Sequence, residues 1–306
     1  EKAEREEEAE KLKQLGSSDS IRREFVRAGR PALRAAAALT AAGAVATTTA
    51  AGATDVASCH LSAPSYREKE LHRRLGALED RLQYRLRFSG FANVTVVDSP
   101  AVRVLFTKIR DKSTANVDYV RYADRLMTLL AEEGLALVHG VTGVVVQTPC
   151  GPYHGLKDVD PAKMCVVSIP RSGDILMEAV RRVSLGISVG KILCQRDESD
   201  PEKKATLFYS KLPKDIAKKK VVLLVDPMLA TGGSASLAIE QLVEAGVAPE
   251  KIVFLNVVSC PEGLQRLQDE WPGVKVITAA VDEKLNDDKF IVPGLGDFGD
   301  RYYRTE

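Results

Sequence analysis

Asp226 closes the apolar run Val221–Val225, and Thr231, Gly232, Gly233 and Ser234 follow it closely. A helical stripe comes next, with Ala235, Ala238, Ile239, Leu242 and Val243 on one face and Gly246 placed to stop it. A strand, a small-residue loop and a helix in that order suit a phosphate. Glycines let the main chain approach, free N–H groups point inward, and the helix dipole favours an anion. A carboxylate at the mouth of such a cradle suits a ribose diol or a metal–phosphate. Two more loops carry guanidinium groups: Pro170-Arg171-Ser172-Gly173-Asp174 and Gln195-Arg196-Asp197-Glu198. Either arginine alone reads as a surface ion pair. Placed together at strand ends, they suit a substrate with a phosphate at one end and a second anionic group at the other.

Such loops need strands to carry them. The pattern predicts strands over Val94–Val97, Val144–Thr148, Met164–Ile169, Lys191–Gln195, Val221–Val225, Ile252–Val258 and Val274–Val281. Helices are expected from Pro100, over Tyr119–Val138, over Gly173–Val183, from Ala235, and over Pro261–Glu270 with Pro in its first turn. Gly151–Asp160 reads as a loop and Leu207–Leu212 as an extended arm. Alternating strands and helices give a mostly parallel sheet with helices on both faces, whose ligand sits at the carboxyl ends of the strands.

The balance of 43 Lys+Arg against 42 Asp+Glu argues against a nucleic-acid or membrane-surface protein, because both need a basic excess or stripe. Five scattered cysteines without a CxxC pair point away from a zinc site or disulfide framework and towards a reducing, cytoplasmic setting. The chain opens on Glu1, as a fragment or a processed product would. Residues 1–63 read as a low-complexity, charged extension: a charge-dense run to Leu15, then Ala, Thr and Gly from Ala35 to Ala57. The five arginines from Arg22 to Arg34 leave an organelle-targeting segment as the alternative. Residues 64–92 read as an amphipathic helical lead-in with Leu71, Leu75, Leu78 and Leu82 as its stripe, and the compact domain runs over 93–306.

VVLLVDPMLATGGS resembles the phosphoribosyl diphosphate (PRPP) loop of type I phosphoribosyltransferases, in the form found in the uracil branch, where Pro227 follows a single acid. The more specific match is FIVPGLGDFGDRY, from Phe290 to Tyr302, which is similar to that branch's uracil-recognition segment. IRDKSTANVDYVRYADRLMTLLAEEGL, IPRSGDILMEAV and GKILCQRDE resemble the eukaryotic members, in the family's order from about Asn93 onward. The resemblance implies a type I phosphoribosyltransferase fold with a β-arm and a C-terminal base-recognition segment. It implies an enzyme of pentosyl transfer that makes UMP and diphosphate from uracil and PRPP. Asp226 would bond the ribose hydroxyls, and Pro227 and Met228 continue the contact. Leu229, Ala230, Thr231, Gly232, Gly233 and Ser234 would cradle the 5-phosphate. Arg171 and Ser172 would hold the diphosphate, and Arg196 would close over it. Ile291, Gly296, Asp297 and Phe298 would line the base pocket, with Asp226, Arg171 and Asp297 as the catalytic set. The resemblance further implies Mg²⁺ carried by PRPP, a homo-oligomer (dimer or tetramer), and GTP as a possible activator at Arg125 and Lys163, which also read as ordinary surface charges.

Two other readings compete. One is a phosphoribosyltransferase for a different base, which the C-terminal segment argues against. The other is a regulator or binding module that kept the fold without turnover, and Asp226, Arg171, Arg196 and Asp297 argue against it. Gly186–Lys191 has the wrong spacing for the phosphate loop of a kinase. A kinase domain preceding Glu1 stays an open expectation.

Overall fold

The computed structural model describes residues 90–196 and 205–305. The charged run, the Ala/Thr stretch, most of the lead-in helix and the Asp197-Glu198 pair lie outside the described residues. Strands β1 (Val94–Val96), β4 (Met164–Ser168), β5 (Ser188–Arg196), β6 (Ala205–Lys211), β7 (Val221–Val225), β9 (Ile252–Ser259) and β10 (Lys275–Val281) form the main sheet. Its order is β1-β10-β9-β7-β4-β5-β6, parallel throughout except for antiparallel β5–β6.

The strand faces alternate as a two-sided core requires. Leu223 and Val225 of β7 pack into one buried cluster and Val222 and Leu224 into the other. Helices α1 (Pro100–Arg110), α2 (Asn116–Ala136) and α3 (Gly173–Val183) cover the first face. Helices α4 (Gly233–Glu244) and α5 (Pro261–Glu270) cover the second. α1 shows how locally these elements are specified. Pro100 occupies its first turn, the Ser99 hydroxyl accepts from the Val102 N–H at 3.2 Å, and Val102, Leu105, Phe106 and Ile109 form its buried stripe.

Connectivity sets where a ligand can sit. From β4 the chain passes through α3 outward to β5. From β7 it passes through α4 and α5 in the other direction, to β9 and β10. Adjacent β4 and β7 therefore flank the point where the winding reverses, and in open α/β sheets ligands sit beyond the carboxyl ends of such strands.

Two expectations are corrected. Gly151–Asp160 is not a loop, because Gly151–Lys157 is strand β3, paired residue for residue with β2 (Thr142–Thr148) in a separate antiparallel hairpin. Leu207–Leu212 is extended as expected, within β6 up to Lys211, but it is not an arm. β6 is the antiparallel edge of the main sheet, and the projecting arm is the β2–β3 hairpin. Beyond β10, β11 (Lys284–Leu285) and β12 (Ile291–Val292) make a small ladder, and α6 (Phe298–Tyr303) ends the fold.

Candidate active site

At the reversal point, Ser168 of β4 lies beside Val225 of β7, and the loops beyond both strands begin side by side. Gly173 makes the approach close. A Cβ there would stand 2.6 Å from the Val225 carbonyl oxygen, so only a glycine lets α3 start this near the end of β7. The result brings the Ser172 hydroxyl 3.2 Å from an Asp226 carboxylate oxygen.

Past Asp226 the chain adds a two-residue strand, β8 (Met228–Leu229), beside Val258 and Ser259. Ala230 and Thr231 then lead to Gly232, whose φ of +78° turns the main chain into α4. No side chain caps that helix. Its first N–H groups have no intrahelical acceptors, so the helix presents donors and the positive end of its dipole to whatever occupies the loop. Thr231 and Ser234 flank it, both half-buried.

The C-terminal segment is held from beneath. Asp282, 6% exposed, accepts the Gly294 N–H at 2.8 Å and pairs bidentately with Arg110, both N–O distances being 2.7 Å. Arg110 also donates to the Gly294 carbonyl at 2.8 Å, so both sides of this glycine are clamped. Arg301 donates to the carbonyls of Ile109 and Leu295, each at 2.6 Å, and lies 4.2 Å over the Tyr119 ring. Gly294 and Gly296 carry φ of +59° and +81°, and the Val292–Pro293 peptide is cis.

Arg171 joins the two halves. The peptide preceding it is cis, and its half-exposed guanidinium donates to Thr305 at 3.0 Å, pairs with Asp300, and lies 3.8 Å from Asp297. The Thr305 hydroxyl and then Arg171 hold the Asp300 carboxyl below the usual carboxylate range. Asp297 itself caps α6, accepting the Asp300 N–H at 2.9 Å.

The structure thus gathers Arg171, Ser172, Asp226 and Asp297 at one place. Phe298 would meet its expected part in the pocket through its main chain, not its ring. Its ring is 1% exposed, edge-on to Tyr119 and stacked with Tyr302, and belongs to the core. Ile291 is also buried, in β12. Arg196 ends β5 opposite Ala205, on the strand that borders β4. Arg125 is exposed on α2, and Lys163 is exposed before β4, 4.0 Å from Asp160.

Sequence reasoning assigned no role to Arg110, Asp282, Asp300, Arg301 or Thr305. Asp300 and Arg301 stood within the Phe290–Tyr302 match, which was the available signal. It also passed over Asp174, which accepts from Ser168 at 2.6 Å and from Lys191 at 2.9 Å behind the Arg171 loop.

The family model described as "Uracil phosphoribosyltransferase" matches residues 96–305. A protein named uracil phosphoribosyltransferase from Dictyostelium discoideum is 46% identical over 216 residues, covering 70% of this chain and 97% of that protein. A uridine/cytidine kinase described as chloroplastic, from Arabidopsis thaliana, is 42% identical over 217 residues, covering 71% of this chain and 43% of that protein. Among solved structures, the AQ2163 protein from Aquifex aeolicus aligns with a TM-score of 0.59 at 27% identity, over 70% of this chain and 99% of that one.

Proposed function

From the premise that the chain belongs to the uracil phosphoribosyltransferase family, we propose how its residues divide the reaction of uracil with PRPP. The enzyme makes UMP and releases diphosphate. The observation that carries the assignment is the bridge at Arg171 and Ser172. Ser172 reaches Asp226 below the phosphate loop, and Arg171 reaches Asp297 and Asp300 in the C-terminal segment. One loop therefore touches both the ribose side and the base side.

In this reading the 5-phosphate takes the uncapped N–H groups of α4 with the Thr231 and Ser234 hydroxyls, and Asp226 accepts from the ribose hydroxyls. Pro227 to Ala230 line the approach. The bond from the anomeric carbon to diphosphate breaks with its electron pair on the diphosphate. Positive charge builds on the sugar, N1 of uracil bonds to the anomeric carbon, and the N1 proton passes to the departing diphosphate or to water. Arg171 and Ser172, with Arg196 from the end of β5, stabilise the departing anion. Uracil lies against Ile291–Phe298, read by main-chain groups, since the Phe298 ring is committed to the core. Asp297 faces both substrates.

Among the described residues no group of three His, Cys, Asp or Glu side chains is arranged to hold a metal. Mg²⁺ commonly binds through substrate phosphates plus one or two carboxylates, which Asp226 and Asp297 could supply. Carried in on PRPP, it would offset the charge of the leaving diphosphate. The test of the whole reading is diphosphate release from PRPP that depends on uracil.

The remaining expectations join the proposal. The domain is taken as 93–306, after a 1–63 extension and a 64–92 lead-in; a chain shortened to begin at Pro64 should keep full activity and melting temperature. A homo-oligomer is supported by the projecting hairpin, which exposes Val145, Val146, Tyr153 and Leu156. Leu156→Asp should lower the mass measured by light scattering. GTP activation through Arg125 and Lys163 is tested by rates with and without the nucleotide. No helix among the described residues is long and apolar enough to cross a membrane. A cytoplasmic location is proposed, with an organelle as the alternative that the N-terminal arginines and the chloroplastic relative support; cell fractionation decides it.

A further inference from the structure

The phosphate loop carries hydroxyls and glycines but no cation of its own. A side chain from α5 supplies one. α5 lies directly on the loop because Gly263 has no Cβ; one there would stand 2.4 Å from the Ala230 carbonyl oxygen and 2.9 Å from the Leu229 side chain. One helical turn further along the same face comes Arg266. Its Cδ lies 3.3 Å from where a Cβ on Gly232 would be, and its Nη1 lies 3.5 Å from the same point on Gly233. The two loop glycines therefore face a guanidinium across the space that a side chain would occupy.

Arg266 is also held in place. Its Nε donates to Glu270 at 2.9 Å. The other Glu270 oxygen accepts from Ser236 of α4, whose hydroxyl oxygen in turn accepts from the Trp271 indole at 2.8 Å. This chain ties the guanidinium to the helix whose N-terminus forms the loop. Nη1 donates to no group among the described residues, and it lies beside Gly233.

We propose that Arg266 binds the 5-phosphate of PRPP, and the proposal rests on the phosphate-loop reading above. Glu270, Ser236 and Trp271 act as positioning residues for it. Arg171 and Arg196 serve the diphosphate, so the two anionic ends of the substrate have separate cations. That separation makes the assignment testable with half-substrates.

The probes are ribose 5-phosphate, which carries the 5-phosphate alone, and inorganic diphosphate. Each is titrated calorimetrically into the full chain. Arg266→Gln should weaken ribose 5-phosphate about tenfold, modest for a charge-assisted contact because the guanidinium is half-exposed. It should leave diphosphate unchanged, and Arg266→Lys should recover most of the loss. In turnover, the KM for PRPP should rise with kcat within about twofold, the mark of a contact equal in ground and transition states. Unchanged ribose 5-phosphate affinity in Arg266→Gln would overturn the proposal. Equal weakening of both probes would overturn it too, since that reports a distorted loop. Failure of the unaltered chain to bind ribose 5-phosphate would overturn the phosphate-loop reading itself, and Arg266 with it.

Discussion

Asp282→Ala should damage the proposed base site through the turn at Gly294. The carboxylate is 6% exposed and makes three charge-assisted contacts, two to Arg110 and one to the Gly294 N–H. Removing one partner of a fully buried pair costs about 3–5 kcal/mol, because the other charge is left without compensation. The Arg110 side chain keeps 22% of its exposure, so water recovers part of that loss. The expected destabilisation is therefore nearer 3 kcal/mol. At about 2–4 °C per kcal/mol for a domain near 200 residues, the melting temperature should fall by roughly 6–12 °C. Asp282→Asn keeps the shape and an acceptor for Gly294 but loses the charge, and should cost about half as much. Function separates this from simple weakening. Gly294 opens the turn that presents Gly296 and Asp297, so the KM for uracil should rise several-fold in Asp282→Asn, with PRPP affinity falling less because Asp226 and the loop to Ser234 are untouched. Urea titrations give the stability, and initial rates with each substrate varied give the constants. A loss below about 0.5 kcal/mol in Asp282→Ala, or a uracil KM equal to that of the unaltered chain in both variants, would refute the clamp.

Gly233→Val should abolish PRPP binding in a chain that stays folded. A Cβ there meets only Arg266 at 3.5 Å and Thr231 at 3.8 Å, so the protein accommodates it while the anion's space is lost; calorimetry and circular dichroism check the two halves. Cytosine reverses two of the three hydrogen-bonding positions on the uracil edge, and a main-chain reader cannot rotate to suit it. Discrimination on the order of 10⁴-fold is expected, with 5-fluorouracil still accepted, measured as diphosphate release at equal base concentration. Burial pushes the Cys260 thiol up to about 12 and those of Cys165 and Cys194 to about 11, whereas Cys150 is exposed. At about pH 8 the three stay protonated, so peptide mapping after brief alkylation should find Cys150 labelled well before them.

What could be read from the sequence, and what could not, divides along the range of the interactions. β7, α3 and α5 are legible residue for residue because their signals are local: an unbroken apolar run, a helix opened at Gly173, a proline in a first turn. Gly151–Asp160 reads as a loop, although Gly151–Lys157 is a strand, because Gly151, Pro152 and Gly155 are poor strand formers. It holds its pairing through β2 rather than through its own propensities, and exposure of both faces removes the alternation that marks a strand. The site splits in the same way. Asp226 and the proposed phosphate loop stand within a few positions of each other, whereas Arg110 and Asp282 stand 172 residues apart and Arg171 and Asp300 stand 129 apart. Ion pairs of that span carry no spacing rule. Phe298 adds a detail that its motif does not carry, for Tyr119 and Tyr302 hold its ring in the core. The physical consequence is a division of labour. In the proposed reading the phosphate end is shaped mainly by local backbone geometry and tolerates few side chains. The proposed base end is shaped by distant charges, Arg110 with Asp282 and Arg171 with Asp300, which set how the Gly-rich turn is presented. A change of base preference is therefore to be sought by altering those pairs, with Asp226–Ser234 left as it is.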